Sequence, residues 1–206
     1  GGPGQNEIDF RYADPLTAAD NAVTFQAVVR TIAAQNGLWA DFSPRPLPDQ
    51  PGSGMHINLS ARDGIGRDLL MPMIAGLLDK IRESTLFLNP TEESYARLGR
   101  DRAPGAVNWS PENRNQLIRI PAATGQYRRA ELRSPDPTAN PYLAIALAIR
   151  AGLHGITEGM TPLAAAEQAS ASPERLPKTL KEAQELASKS DFVRNCMPVP
   201  VLSAYL

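Results

Sequence analysis

Charged and apolar side chains alternate along Arg129-Ala130-Glu131-Leu132-Arg133. Read as a β-strand, this stretch sends successive side chains to opposite faces. Arg129, Glu131 and Arg133 then share one face, and Ala130 and Leu132 take the other. Two chemistries are open. On an exposed strand the charges form a solvated ion-pair ladder of little energetic consequence. On a half-buried strand they form a site for anions and a hard cation. The guanidiniums would clamp phosphate or carboxylate, and the carboxylate would hold an ion such as Mg2+. A buried glutamate between two arginines is destabilising unless each charge finds partners.

A second stretch has the makings of a binding surface. Pro51-Gly52-Ser53-Gly54 is a turn whose glycines permit close backbone approach to a ligand, and an alternating strand follows it. Met55, Ile57 and Leu59 point into a core, while His56, Asn58 and Ser60 point the other way. A lone histidine is more often structural than a ligand. Three polar groups in register beside a glycine turn favour a lined cavity. Arg97, Arg114 and Arg119 are each ordinary solvated surface when taken singly. With Arg129 and Arg133 they make five arginines to gather near one glutamate, which solvated surface explains poorly. The charged loop from Gly99 to Gly105 is a candidate lid.

The elements that must position these groups follow from periodicity and caps. Residues 5–12 alternate polar and apolar and predict a strand with Glu7, Asp9 and Arg11 on one face. Asp14 and Pro15 open a helix with the apolar stripe Phe25, Val28, Val29, Ile32 and Ala33, ended by Gly37. Residues 38–47 read as a strand interrupted by Pro44 and Pro46. A helix with a broad stripe, including Leu70, Met73, Ile74, Leu77 and Ile81, spans about 67–81, with Pro72 near its start. Asn89-Pro90 breaks the chain, and Thr91 or Glu92 starts a short helix carrying Arg97. A strand is predicted over 116–121 and a turn at Gly125. A buried helix runs from Asn140-Pro141 to about Gly155, and further helices cover 161–170 and 176–190. Strands and helices mixed without strict alternation favour an α+β fold, with helices on an antiparallel sheet.

Composition narrows the class. A chain of 206 residues, 42% hydrophobic, supports one large domain with a real core. A net charge of -1 gives no electrostatic case for binding nucleic acid. No apolar run is long enough to span a membrane, and no signal peptide opens the chain. Cys196 is the only cysteine, which rules out an internal disulfide and favours a cytoplasmic location. The chain opens without Met, and 201–206 read as the start of an apolar helix. Both ends therefore look cut from a longer protein.

Several motifs in order resemble the catalytic domain of the glutamine synthetase family. They are Gly4-Gln5-Asn6-Glu7, Gly52-Ser53-Gly54-Met55-His56, Asn89-Pro90-Thr91 with Tyr95-Ala96-Arg97-Leu98, Asn113-Arg114, Arg119-Ile120-Pro121, and Arg129 through Asp136-Pro137 to Asn140-Pro141-Tyr142. The resemblance covers nearly all of residues 1–206 and implies a curved antiparallel sheet backed by helices. It implies an ATP-dependent ligase that makes glutamine from glutamate and ammonia through a γ-glutamyl phosphate, with Mg2+ or Mn2+. By residue, it implies Glu7 as a ligand of the metal on the substrate side, and His56 and Glu131 as ligands of the metal at the nucleotide phosphates. Arg119 and Arg129 would contact ATP phosphates, Ser60 would adjoin the nucleotide, and Arg114 would meet the transferring phosphoryl group. Arg97 and Arg133 would contact the glutamate carboxylate, with the Gly52 backbone beside it. Members form rings in which a neighbour's N-terminal domain completes the site. A homo-oligomer is therefore implied for the whole protein, and an isolated catalytic piece is expected to be inactive.

Three positions depart from the family pattern. Pro51 stands where Asn or Lys is usual, Asn58 replaces the second His of a His-x-His, and Arg102 takes the place of a flap Glu that helps deprotonate ammonium. The loop before Ala103-Pro104 is also shorter, so Asp101 is a neighbouring candidate for that task. These departures keep two alternatives open. One is a γ-glutamyl ligase for another amine or acid. The other is a nucleotide-binding homologue without turnover, which the retained Glu7, His56, Glu131 and arginines argue against.

Overall fold

A computed structural model describes residues 1–169 and 172–206. Four short strands form one sheet: β1 (Ile57–Leu59), β2 (Trp109–Pro111), β3 (Ile118–Ile120) and β4 (Ala130–Leu132), in the order β1-β4-β3-β2. β4 pairs antiparallel with β1 on one side and β3 on the other. β2 and β3 run parallel, so the sheet is mixed rather than wholly antiparallel. After β2 the chain turns at Glu112, whose φ is 70°, and re-enters beside β2 in the same direction.

One face of the sheet is covered by helices. α2 (Leu70–Leu88) and α4 (Pro141–Thr157) supply Met73, Ile74, Leu77, Ala144, Ala148 and Ala151 to a core shared with Ile57, Ile118, Ala130 and Leu132. The two helices touch backbone to backbone at Gly76 and Gly155. A Cβ on Gly76 would sit 2.5 Å from the Gly155 nitrogen, so both positions need glycine. α5 (Leu180–Lys189), α6 (Asp191–Cys196) and α7 (Val199–Tyr205) build a second cluster around Phe87, Leu147 and Val193. α3 (Glu92–Arg97) opens with a capping box between Thr91 and Ser94. α1 (Pro15–Gln35) is capped by Asp14, which accepts from the Thr17 amide. The α+β class and the helices backing one sheet agree with the sequence reading.

Several elements differ from expectation. No strand forms over 5–12 or 38–47: among the described residues no strand pairs with either stretch, and backbone groups that do pair serve turns, as the Pro44 carbonyl does with the Ser53 amide (2.9 Å) and the Leu47 carbonyl with the Gln50 amide (3.2 Å). Edge-on aromatic contacts from Phe25 to Phe10 (5.5 Å) and to Phe42 (6.0 Å) hold the two stretches instead. α2 starts three residues later than Arg67 and continues past Ile81 to Leu88, since the apolar character continues through Leu86, Phe87 and Leu88. Residues 161–169 are not helical, and Ser170 lies outside the described residues. Trp109 explains this: its indole donates to the Leu163 carbonyl at 2.7 Å, and its own carbonyl takes the Ala166 amide at 2.9 Å. The helix expected over 176–190 begins only at Leu180, after the cap Thr179. β2 and α6 are additions to the sequence reading.

Candidate active site

β4 is the middle of the site, because both its neighbours place a side chain opposite Glu131. The register sets Asn58 of β1 and Arg119 of β3 across from it, and residues opposite one another share a face. Glu131 Oε1 lies 3.0 Å from His56 Nδ1 and 2.9 Å from Arg133 Nη1, while Oε2 lies 2.9 Å from Arg119 Nη1. Glu131 is only 8% exposed, so this is a buried charge cluster and not a solvated ladder. Burial alone would raise the Glu131 pKa. The hydrogen bond from His56, the charge of Arg133 and the hydrogen bond from Arg119 outweigh it and pull the value down to about 2. Arg133 is lowered by its burial, with Glu131 opposing. Its Nε is buried and has no partner among the described residues. Arg129 shares this face but bonds elsewhere: its Nε donates to Asn58 Oδ1 at 3.0 Å.

The glycine turn packs against this cluster. A Cβ on Gly54 would sit 2.8 Å from Arg97 Nη2 and 2.9 Å from His56 Nε2, and one on Gly52 would strike the Pro44 carbonyl. Glycine at 52 and 54 thereby lets the turn lie against Pro44, Arg97 and His56, with Gly54 itself exposed beside the charges. Arg97 is 3% exposed and donates from Nη1 to the Ser134 carbonyl (2.7 Å) and from Nη2 to the Arg133 carbonyl (3.3 Å). Burial pulls its pKa down to about 10, although Asp136 opposes the shift. Gln5 Nε2 donates to the Gly52 carbonyl at 3.0 Å, which ties the N-terminal stretch to the same turn.

His56, Arg119, Glu131 and Arg133, which the structure brings together, all come from motifs on which the resemblance rested. The family model described as glutamine synthetase, catalytic domain, matches residues 1–206. The chain belongs to the glutamine synthetase catalytic-domain family. Glutamine synthetases of Methanosarcina mazei and Thermus thermophilus are 44% and 40% identical to it, each match taking in 99% of this chain and 51% of theirs. The chain thus spans about half the length of the curated relatives it matches. Two solved structures, a GmaS–ADP complex and GmaS without ligand, share the fold with TM-scores of 0.83 and 0.82. Their identities are 29% and 30%, over 95% of this chain and 50% and 49% of theirs.

The residues to which the family resemblance gives roles fall into two groups. His56, Arg119, Glu131 and Arg133 meet directly, Arg97 underlies them, and Gly52 borders them. Arg114 is exposed but close enough to Arg133 to repel it. Glu7, Ser60 and Arg102 are exposed, and no contact joins them to the Glu131 cluster. Arg102 lies in the 99–105 loop, where Asp101 takes a left-handed φ of 52° and pairs with Arg45 at 3.1 Å. A family metal suits the donor types present: one imidazole and one carboxylate converge to 3.0 Å, which fits two positions of an oxygen-rich shell. Among the described residues no third His, Cys, Asp or Glu joins them. Sequence reasoning missed three buried polar side chains behind the cluster, Asn89, Ser134 and Asp136. Their signal was the polar residues set into Asn-Pro and Ser-Pro-Asp-Pro, which stand among the family motifs without a role for these side chains.

Proposed function

We propose that residues 1–206 form the catalytic domain of an ATP-dependent ligase that joins an amine to a carboxylate, with glutamate and ammonia as the leading pair. The observation that carries this reading is ionised Glu131, buried among His56, Arg119 and Arg133 beside the glycine turn. Bringing a carboxylate up to a triphosphate opposes two anions, so the site must supply positive charge where it develops. In this reading Arg119 and Arg129 hold nucleotide phosphates, Ser60 adjoins the nucleotide, and Arg114 meets the transferring phosphoryl group. Arg133, with Nε still free to donate, binds the acid substrate together with Arg97 and the Gly52 backbone. Two divalent ions, Mg2+ or Mn2+, one that His56 and Glu131 would hold and another that Glu7 would help hold, would screen phosphate charge when bound.

The chemistry then has two displacements. A carboxylate oxygen of the acid attacks the γ-phosphorus, and ADP leaves. The amine nitrogen attacks the resulting acyl phosphate, the C–O bond to phosphate breaks, and the amine gives up a proton. The solved GmaS–ADP complex supports a nucleotide site in this fold.

A second reading, a ligase for an amine other than ammonia, has its own support. Arg100 and Arg102 are exposed on the 99–105 loop while its one carboxylate, Asp101, is paired with Arg45. With Arg102 where the resemblance leads one to expect the flap Glu, the loop has no free carboxylate to help deprotonate ammonium, and its amine side departs from the family pattern. The resemblance and the single cysteine support a cytoplasmic, homo-oligomeric protein of nitrogen metabolism, with glutamine as the expected product. The net charge supports small-molecule partners over nucleic acid. No helix among the described residues is long and apolar enough to cross a membrane.

The test is phosphate release from ATP by the full-length protein, with glutamate fixed and a panel of amines varied. Release that requires both acid and amine is the expected result, and Glu131→Gln should lower it by about 100-fold or more with the fold retained. No acid- and amine-dependent release with any pair would sink the reading. A stability loss with normal turnover in the Gln variant would return Glu131 to a structural ion pair.

A further inference from the structure

We propose that Asn89 and Asp136 are positioning residues of this site, which fix the Ser134 carbonyl and through it the guanidiniums of Arg97 and Arg133. The inference rests on the ligase reading above. Both side chains are fully buried, so neither touches a substrate, and any effect on chemistry must pass through others. Asn89 is the C-cap of α2, and its Nδ2 donates to the Ser134 carbonyl (2.9 Å) and to Asp136 Oδ2 (2.8 Å). Asp136 Oδ1 takes the Thr138 amide at 3.0 Å and the Thr138 hydroxyl. The Asp136 amide donates to the Leu88 carbonyl at 3.2 Å, which ties the strand exit to the end of α2.

Arg97 closes this arrangement from the end of α3. It donates to the same Ser134 carbonyl and to the carbonyl of Arg133. One backbone oxygen therefore receives donors from two helix ends, two residues beyond the strand that carries Glu131 and next to Arg133. Asp136 also sets the charge balance, since it is the carboxylate that counters the burial of Arg97. Three elements meet on a two-residue stretch of backbone, and the groups that this stretch aims are the cations of the acid-binding side.

The network predicts a specific weakness. Asp136→Asn keeps the volume but replaces an acceptor with a donor facing Asn89 Nδ2. The relief is a flip of the Asn89 amide. Its Oδ1, buried with no partner among the described residues, would then accept from the new amide. The flip withdraws Nδ2 from Ser134. A conservative change thus frees the carbonyl that Arg97 shares, without opening a cavity.

The experiment uses the full-length protein, with Asp136→Asn as the volume-keeping variant and Asn89→Ala as the truncation. Steady-state kinetics vary acid and ATP separately, and hydrogen exchange follows the amides of 131–136. The expected result is a KM for the acid raised about tenfold with the KM for ATP within about twofold, because only the acid side loses its aim. Exchange at Arg133 to Asp136 should quicken about tenfold in both variants. Acid and ATP KM rising together, or unchanged exchange in Asp136→Asn, overturns the positioning role. Lack of turnover in the unmodified protein counts against the ligase reading alone, and exchange then decides whether the network holds the strand exit.

Discussion

α1 and α2 are near equals in length, 21 and 19 residues, and both carry an apolar stripe, yet their surroundings differ. α2 buries twelve of its residues, while α1 buries Ala19 alone. α2 packs with α4 in the core beneath the sheet, and the Gly76–Gly155 contact lets those two helices close on one another. α1 meets the rest of the described chain through the Phe25 contacts to Phe10 and Phe42 and through polar ties. Tyr142 donates to Asp20 at 2.6 Å, and Gln26 donates to the Pro137 carbonyl at 2.9 Å. Its Val28 and Ile32 remain 47% and 54% exposed. A periodic stripe in a sequence announces a helix but not the surface that will cover it. The candidate site hangs on the helix that found its cover: Asn89, at the end of α2, reaches the strand exit after Arg133.

The largest expected effect tests that contrast directly. Leu77→Ala in α2 removes a side chain 2% exposed and should cost about 2–5 kcal/mol, whereas Val28→Ala on α1 should stay within about 0.5 kcal/mol. Denaturant unfolding of both variants of the full-length protein measures the difference. A costly Val28→Ala would show that another part of the protein covers α1, and would remove the contrast.

A smaller effect sharpens it. Gly76→Ala should cost about 1–3 kcal/mol, because the new methyl meets the α4 backbone rather than a movable side chain. The same change at an exposed helix position would stabilise. A neutral Gly76→Ala would mean that α2 and α4 sit farther apart than the contact implies.

Local signals were the legible part of this fold. Asp14 with Pro15, Thr91, and Asn140 with Pro141 each mark a helix start because a cap is written in adjacent residues. The alternation around Glu131 put the right groups on one face because pleating needs no knowledge of the partner strand. What depended on partners was not legible. The alternating 5–12 stretch has no strand beside it, and 161–169 give backbone groups to Trp109 instead of to a helix. β2 hides behind Pro111 and its lack of alternation. In the site, His56 and Arg119 were marked by motif, but the convergence of both on Glu131 needed the β1-β4-β3 register. Asn89 and Asp136 stood within motifs but without a role, since burial is not visible in a polar residue beside a proline.

The smallest expected effect concerns how α1 is held, if packing contributes little to it. Asp14 accepts from the Thr17 amide at 3.1 Å and from the Thr17 hydroxyl at 2.5 Å. These two bonds, the hydroxyl first, lower its pKa below the usual aspartate value of 3.8. A carboxylate whose folded pKa is depressed contributes stability that is fully present above its unfolded pKa and is lost as pH falls through the folded one. The cap should therefore be intact at neutral pH and weaken only below about pH 4. Asp14→Ala should lower the melting temperature at pH 7 by less than Gly76→Ala does, because the cap is exposed and water replaces part of it. The gap between unmodified protein and variant should narrow as pH is taken below 4. Comparing the two proteins at each pH cancels every other carboxylate in the chain. A gap that stays constant down to pH 2 would show that the charge of Asp14 plays no part in the cap.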